Sequence, residues 1–183
     1  IQQLNEGLHH TLTLISAPAG FGKTTLTANW LTELQQTHPN PPASEIAWLS
    51  LSEIDNDVNR FITYFFKAFS GLKKLDAHWN NSTRDLLQNT NLPPIETLLT
   101  PLLTSISISH TKVIFVLDDY HLIDNLTIHK VVNFWLENTP PQVHTVVVTR
   151  EDPPFPLARL RARNLLTEIR EKSLRFTTAE ATE

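Results

Sequence analysis

Short apolar runs, separated by polar or proline-rich stretches, recur at Thr11 to Ser16, Ile46 to Leu51, Lys112 to Leu117 and Val143 to Thr149, with a weaker fifth at Leu174 to Phe176. The third and fourth are rich in Val and Ile and lack polar alternation. That pattern predicts strands buried on both faces, as in a parallel sheet covered by helices. Between them, helix-like segments run over Lys23 to Gln36, Val58 to Phe69, Ile95 to Ser105, Ile128 to Glu137 and Leu157 to Arg163. Strand and helix alternate throughout, which calls for right-handed crossovers and an open, doubly wound sheet. Prolines mark most of the joints, in groups at Pro39 to Pro42, Pro93 and Pro94, Pro140 and Pro141, and Pro153 to Pro156. An Asn-, Thr- and Ser-rich patch from Asn80 to Asn91 reads as a loop with a short helix. The expected fold class is α/β, a three-layer α/β/α sandwich on a parallel sheet of about five strands.

Only four glycines occur, yet Gly20 and Gly22 fall together in the run from Thr11 to Thr25, a strand followed by a tight loop and the start of a helix. A chain leaving a buried strand must turn sharply there if successive backbone N–H groups and a helix N-terminus are to point at one anion, and glycine permits that turn. The loop Ala17, Pro18, Ala19, Gly20, Phe21, Gly22, Lys23, Thr24 and Thr25 is therefore the candidate phosphate cradle. Lys23 is placed to reach the β and γ phosphates and Thr24 to offer its hydroxyl to Mg²⁺. Ala17 stands at the first glycine position of the G-x-x-x-x-G-K-S/T pattern, and alanine costs little there if its φ is negative. A bare G-K-T could be a turn with a surface lysine; the preceding strand and following amphipathic helix favour the phosphate loop.

Lys112 to His121 is an apolar strand that delivers two carboxylates, Asp118 and Asp119, at its C-terminal end, where parallel sheets place their ligands. Asp118 is the expected Mg²⁺ ligand, through water, and Asp119 the group that orients or deprotonates an attacking water. A helix cap or solvated turn is the plainer role for such aspartates; the upstream lysine loop favours the first. Val146 to Arg150 ends in the same way with a cation. With strand order 5-1-4-3-2 this strand lies between the loop strand and the Asp118 strand, so Arg150 emerges beside the nucleotide, placed to sense the γ-phosphate and stabilise charge during cleavage. The arginines at 159, 161 and 163 read as a solvated, partner-facing helix, since only the first and last share a face. His9, His10, His121 and His129 lack metal-ligand spacing and read as core or surface, and Trp30, Trp48 and Trp135 as core.

At 183 residues the chain suits one domain, 1–183, with a substantial core. Opening at Ile1 and closing in polar sequence at Glu183, it reads as a fragment of a larger multidomain protein. Fifteen Lys and Arg against 19 Asp and Glu leave a net charge of −4, which repels a nucleic-acid backbone and argues against direct nucleic-acid binding by this segment. The absence of cysteine excludes disulfides, Cys-based zinc sites and thiol nucleophiles. The longest apolar run, Val113 to Leu117, is far too short to span a bilayer, and no signal-peptide pattern opens the chain, so a cytoplasmic location without a membrane partner is expected.

With these elements placed, the sequence resembles the nucleotide-binding domain of the large ATP-dependent LuxR-type transcriptional regulators, the MalT-like branch of the STAND P-loop NTPases. The resemblance runs the whole length. It rests on LISAPAGFGKTTL (Leu14 to Leu26), IAWLSLSEIDND with RFITYFFKAF (Ile46 to Phe69), VIFVLDDYHLI (Val113 to Ile123), and VVVTRED followed by PLARLRARNLLTEIR (Val146 to Arg170). Ala17 matches that family's form of the loop, whereas Asn164 stands where many relatives have glycine. The resemblance implies an ATP/ADP switch with Mg²⁺, in which ATP favours an assembled form, ADP a resting one, and slow hydrolysis resets the cycle. It also implies a winged helix, a helical-repeat sensor and a DNA-binding helix-turn-helix downstream, ATP-dependent self-association, and upstream residues that help close the adenine pocket, of which the short Gln2 to Leu8 helix would be the remainder. Two other functions compete: a P-loop kinase passing the γ-phosphate to a small molecule, for which Arg159 to Arg163 is the only candidate lid, and a non-catalytic nucleotide-binding scaffold. Paired Asp118 and Asp119 suit water activation better than either.

Overall fold

The computed structural model describes residues 1–37, 44–75, 79–81 and 93–174. Within them five strands form one parallel sheet: β1 (Leu12–Ser16), β2 (Glu45–Ser50), β3 (Val113–Asp118), β4 (Val143–Thr149) and β5 (Leu166–Arg170), in the order β2-β3-β4-β1-β5. This is the expected 5-1-4-3-2 order. β1, β3 and β4 have neighbours on both sides and are buried along their whole length, which is why they read as unbroken apolar runs.

The fifth strand is not the one expected. Leu174 closes a short helix, and residues 175 and 176 lie outside the described residues. The strand is Leu166–Arg170, whose sequence Leu-Thr-Glu-Ile-Arg hides it behind two charges. As an edge strand bonded to β1 alone, it buries only Leu166 and Ile169 and leaves the other three partly exposed. Edge strands carry charge where central strands cannot. The Asn80 to Asn91 patch falls largely outside the described residues; 79–81 are helical.

Helices cover both faces. On one lie α1 (Gln2–Gly7) and α2 (Lys23–Thr37), packing Leu4, Trp30 and Leu31 against Ile15, Ile114, Val116, Val146 and Val148. On the other lie α3 (Val58–Ser70), α4 (Ile95–Ser109), α5 (Leu126–Asn138) and α6 (Leu157–Ala162), while α7 (Glu171–Leu174) follows β5. The second face is strongly aromatic. Phe65 sits with its ring centroid 5.1 Å from Phe115, 5.3 Å from Trp135 and 5.4 Å from Phe69. The helices match the expected segments to within a few residues, and α5 starts two earlier because the Asn125 side chain accepts from Thr127 N–H at 2.9 Å and caps it.

Trp30 and Trp135 are fully buried as expected, but Trp48 is only half-buried, on the β2 edge, with its indole N–H donating to Ser50 Oγ at 2.9 Å. α1 is tied to α2 by Trp30 Nε1 donating to Asn5 Oδ1 at 2.8 Å. Its close seat over β1 and β5 needs glycine at position 7, where a Cβ would stand 2.6 Å from Thr13 Oγ1 and 3.1 Å from Thr167 Oγ1. Among the described residues no helix is long and apolar enough to cross a membrane.

Candidate functional site

The loop after β1 runs from Ala17 into the first turn of α2. Gly20 and Gly22 have φ of +84° and +66°, a conformation that L side chains rarely adopt, and a Cβ on either would meet nothing within 4 Å. The loop thus bends as only glycine readily allows, around open space. Ala17 is buried and absent from the few non-glycine residues with positive φ, so its methyl group is accommodated without strain. Pro18, Ala19, Thr24 and Thr25 are exposed on this rim and Phe21 is half-buried.

Lys23 opens α2 with its side chain folded back over the loop, the ammonium donating to the Pro18 carbonyl at 2.9 Å. Burial pushes its pKa down, the Arg150 charge adds to this, and Asp119 and Asp118 act against it. Thr24 donates from Oγ1 to Asp118 Oδ1 at 3.1 Å, joining loop and β3 across 94 residues of sequence. Asp118 itself is 3% exposed. Burial raises its carboxyl above the ordinary aspartate value and the Asp119 charge contributes to the same effect, while the Thr24 hydroxyl and the Asp119 N–H, donating at 3.1 Å, hold it back.

Asp119 adopts the left-handed conformation, φ 57° and ψ 37°, and its side chain is half-exposed. Beyond it a short 3-10 turn, Tyr120–Leu122, brings His121 back toward the same space. His121 was placed by sequence only as core or surface, because it lacks ligand spacing. Both its ring nitrogens are buried without a hydrogen-bond partner, and Nδ1 lies 3.9 Å from Asp119 Oδ1. Burial lowers its pKa, and the Arg150 charge lowers it further. Its proximity to Asp119 in sequence was the one available signal.

Arg150, exposed at the end of β4, acts electrostatically on both Lys23 and His121. It comes close because β4 lies between β1 and β3. Lys23, Asp118, Asp119, His121 and Arg150 thus share one region at the C-terminal ends of three adjacent strands.

The residues fit a polyanion with a hard divalent cation. The open glycine turn, the buried ammonium and the Arg150 charge suit an anion, while the buried Asp118 carboxylate beside the Thr24 hydroxyl offers oxygen donors. Among the described residues no group of three or more His, Cys, Asp or Glu could hold a metal. A cation here would therefore complete its shell with phosphate oxygens and water, as Mg²⁺ does. Beside the loop a cavity of about 580 Å³ is lined by Leu4, Phe21, Gly22, Thr25, Ile169 and Leu174 among others, large and apolar enough for a nucleoside. A hollow of similar size, about 620 Å³, opens at the other ends of the strands near Asn5, Lys112 and Gln142 and is lined by no carboxylate.

Strand order and glycine loop define the class: a P-loop α/β domain. The fold is shared with Cdc6p of Pyrobaculum aerophilum (14% identity, TM-score 0.55, 92% of this chain and 43% of that one) and with the Aeropyrum pernix ORC2 protein, solved as ADPNP-ADP complexes (10% identity, TM-score 0.54, 92% and 44%). No family model matches the chain. In sequence it is 34% identical over 179 residues to the HTH-type transcriptional regulator MalT of Vibrio parahaemolyticus and 33% identical over 181 residues to that of Serratia proteamaculans. These matches take in 98% and 99% of the chain but only 18% and 19% of the regulators. Over nearly its whole length, then, the chain is similar to one segment of the MalT regulators, and it spans less than a fifth of their length.

Proposed function

We propose that this domain binds ATP with Mg²⁺ and hydrolyses it slowly, and that the nucleotide state is a switch read by other domains of a MalT-type transcriptional regulator. The observation that carries the proposal is the bond from Thr24 Oγ1 to Asp118 Oδ1, made where the glycine loop enters α2. It brings a hydroxyl and a buried carboxylate together where a phosphate-bound cation needs both.

In this reading the backbone N–H groups from Ala19 to Thr25 and the Lys23 ammonium, exchanging its Pro18 carbonyl partner for phosphate, bind the β and γ phosphates. Mg²⁺, when bound, neutralises phosphate charge, and Thr24 and Asp118 are the residues that hold it. Asp119, half-exposed and turned outward, accepts the proton of an attacking water. Arg150 offsets charge developing on the γ-phosphate, and the neutral His121 ring supplies a lone pair or an N–H where it now has no partner. The sugar and base occupy the cavity between α1 and the loop.

The kinase alternative needs a mobile arginine lid. Arg159 instead pairs with Glu137 at 2.9 Å and Arg161 with Glu168 at 2.8 Å, so this segment is already engaged. Hydrolysis with a conformational output is the better reading; downstream domains, self-association and DNA binding belong to the rest of such a regulator.

Titration calorimetry with ATP, ADP and GTP, with and without Mg²⁺, tests the proposal. Expected are Mg²⁺-dependent adenine-nucleotide binding that Lys23→Ala weakens by about 100-fold or more, and release of free phosphate that Asp119→Asn slows without loss of affinity. Unchanged affinity in Lys23→Ala would remove the loop from the site.

A further inference from the structure

One side chain outside the site makes three of its four hydrogen bonds to the segment that carries Asp119 and His121. Asn56 ends the 3-10 turn Glu53–Asn56 after β2. Its Nδ2 donates to the Leu122 carbonyl at 2.8 Å and to the Glu53 carbonyl at 3.2 Å, while Oδ1 accepts from Asp124 N–H at 2.9 Å and Asn125 N–H at 3.2 Å. Its own carbonyl accepts from Asn125 Nδ2 at 2.9 Å. Both amide hydrogens and both oxygen lone pairs are used on backbone partners, three of the four across 66 to 69 residues of sequence.

The clamped segment is short. From Asp119 in the left-handed conformation the chain makes one 3-10 turn, with Leu122 N–H donating to the Asp119 carbonyl at 3.1 Å, and then enters α5 at Leu126. Inside, it is anchored by Tyr120, whose hydroxyl shares a 2.8 Å hydrogen bond with His129 Nδ1. Outside, it is held by Asn56. His121 lies between these anchors, and no hydrogen bond to its ring fixes it. Its place, and that of Asp119, is set through the backbone alone.

We propose that Asn56 is a positioning residue for the hydrolytic step: it fixes the Asp119–Asn125 segment so that Asp119 and His121 face the γ-phosphate, and it acts on turnover rather than on nucleotide affinity. The inference rests on the hydrolysis reading above. Its chemistry needs a donor and two acceptor directions on one short side chain, which only asparagine supplies here. Aspartate keeps the acceptors but turns a carboxylate oxygen on the Leu122 carbonyl, and alanine has neither. Asn56 makes no contact with the glycine loop, so phosphate and base binding are left in place.

The test compares wild type, Asn56→Ala and Asn56→Asp in three measurements below their melting temperatures: ATP and ADP affinity by calorimetry, single-turnover phosphate release, and amide hydrogen exchange at 119–125. Displacing a catalytic group by about 1 Å costs on the order of 100-fold. Both variants are therefore expected to lose about 10- to 100-fold in release rate while ATP affinity stays within about threefold, and to exchange the Asp124 and Asn125 amides faster. An unchanged release rate despite faster exchange would overturn the inference, and so would an ATP affinity that falls in step with the rate, since that marks a general structural role. If wild type binds ATP but releases no phosphate, the hydrolysis reading fails. The Asn56 inference then falls with it, whereas phosphate release by wild type at a rate that both variants share removes the Asn56 inference alone.

Discussion

Three residues along β3 separate two environments built on opposite principles. At Phe115 the strand enters an aromatic layer of Phe61, Phe65, Phe69 and Trp135, where rings meet in edge-on and tilted contacts. At Asp118 it enters a region where a carboxyl is raised, an ammonium lowered, an aspartate held left-handed and an imidazole buried with no hydrogen bond. The first is satisfied by the chain itself. The second is unsatisfied in ways that a polyanion and a cation would relieve, and such local conflict gathers where a ligand completes the structure. A rigid floor makes that conflict sustainable, because the strand ends cannot relax by sinking into the core.

The largest break in this contrast comes from Phe65→Ala. Removing a fully buried ring at the centre of the layer should cost about 3–5 kcal/mol in denaturant unfolding while leaving ATP affinity within a few fold at temperatures where the variant is folded. Lys23→Ala should do the reverse. Gly7→Ala tests the seat of α1 on β1 and β5. Its Cβ meets the Oγ1 of Thr13, a stiff β-branched side chain on a buried strand. The expected loss is about 1–3 kcal/mol, with weaker nucleotide binding because α1 lines the cavity beside Phe21.

A smaller effect is tied to pH. The hydrogen bond from Arg161, then the one from Arg170, hold Glu168 down to about 2 against the cost of its burial. A depressed carboxyl contributes stability above its unfolded value, and that contribution is lost as pH falls through the folded one. The wild type should therefore lose stability between about pH 4.5 and about pH 2, and Glu168→Gln should lose less over the same window. Added salt should narrow the difference, since these charges are only partly shielded from solvent. The smallest effect is Asn164→Gly. Asn164 sits at φ 55° after α6, a conformation asparagine tolerates and glycine adopts freely, so thermal melting should show a gain of roughly 0.5 kcal/mol.

What the sequence made legible follows from how each feature is built. The central strands and the glycine loop could be read because burial on two faces and a sharp anion-binding turn each demand particular residue types in succession. β5 could not, because a strand with one neighbour needs only Leu166 and Ile169 inside and tolerates Glu168 between them and Arg170 after them. Asp118 and Asp119 were both expected at one strand end, but nothing in their adjacency told that the first would be buried and the second, in a left-handed turn, half-exposed. His121 and Asn56 were invisible for a related reason. One is defined by what its ring lacks and the other by backbone groups far along the chain, and neither leaves a local pattern.

The charges on β5 have one more consequence, for how the molecule keeps company with itself. A strand bonded on one side only is a template for the next strand that drifts past, and among the described residues this sheet ends in one. Glu168 and Arg170 are locked to Arg161 and Asp152 along that border, so an incoming strand would have to displace ion pairs before it could bond. Strong acid removes this guard, and the unfolding it promotes should then be accompanied by aggregation through the β5 border.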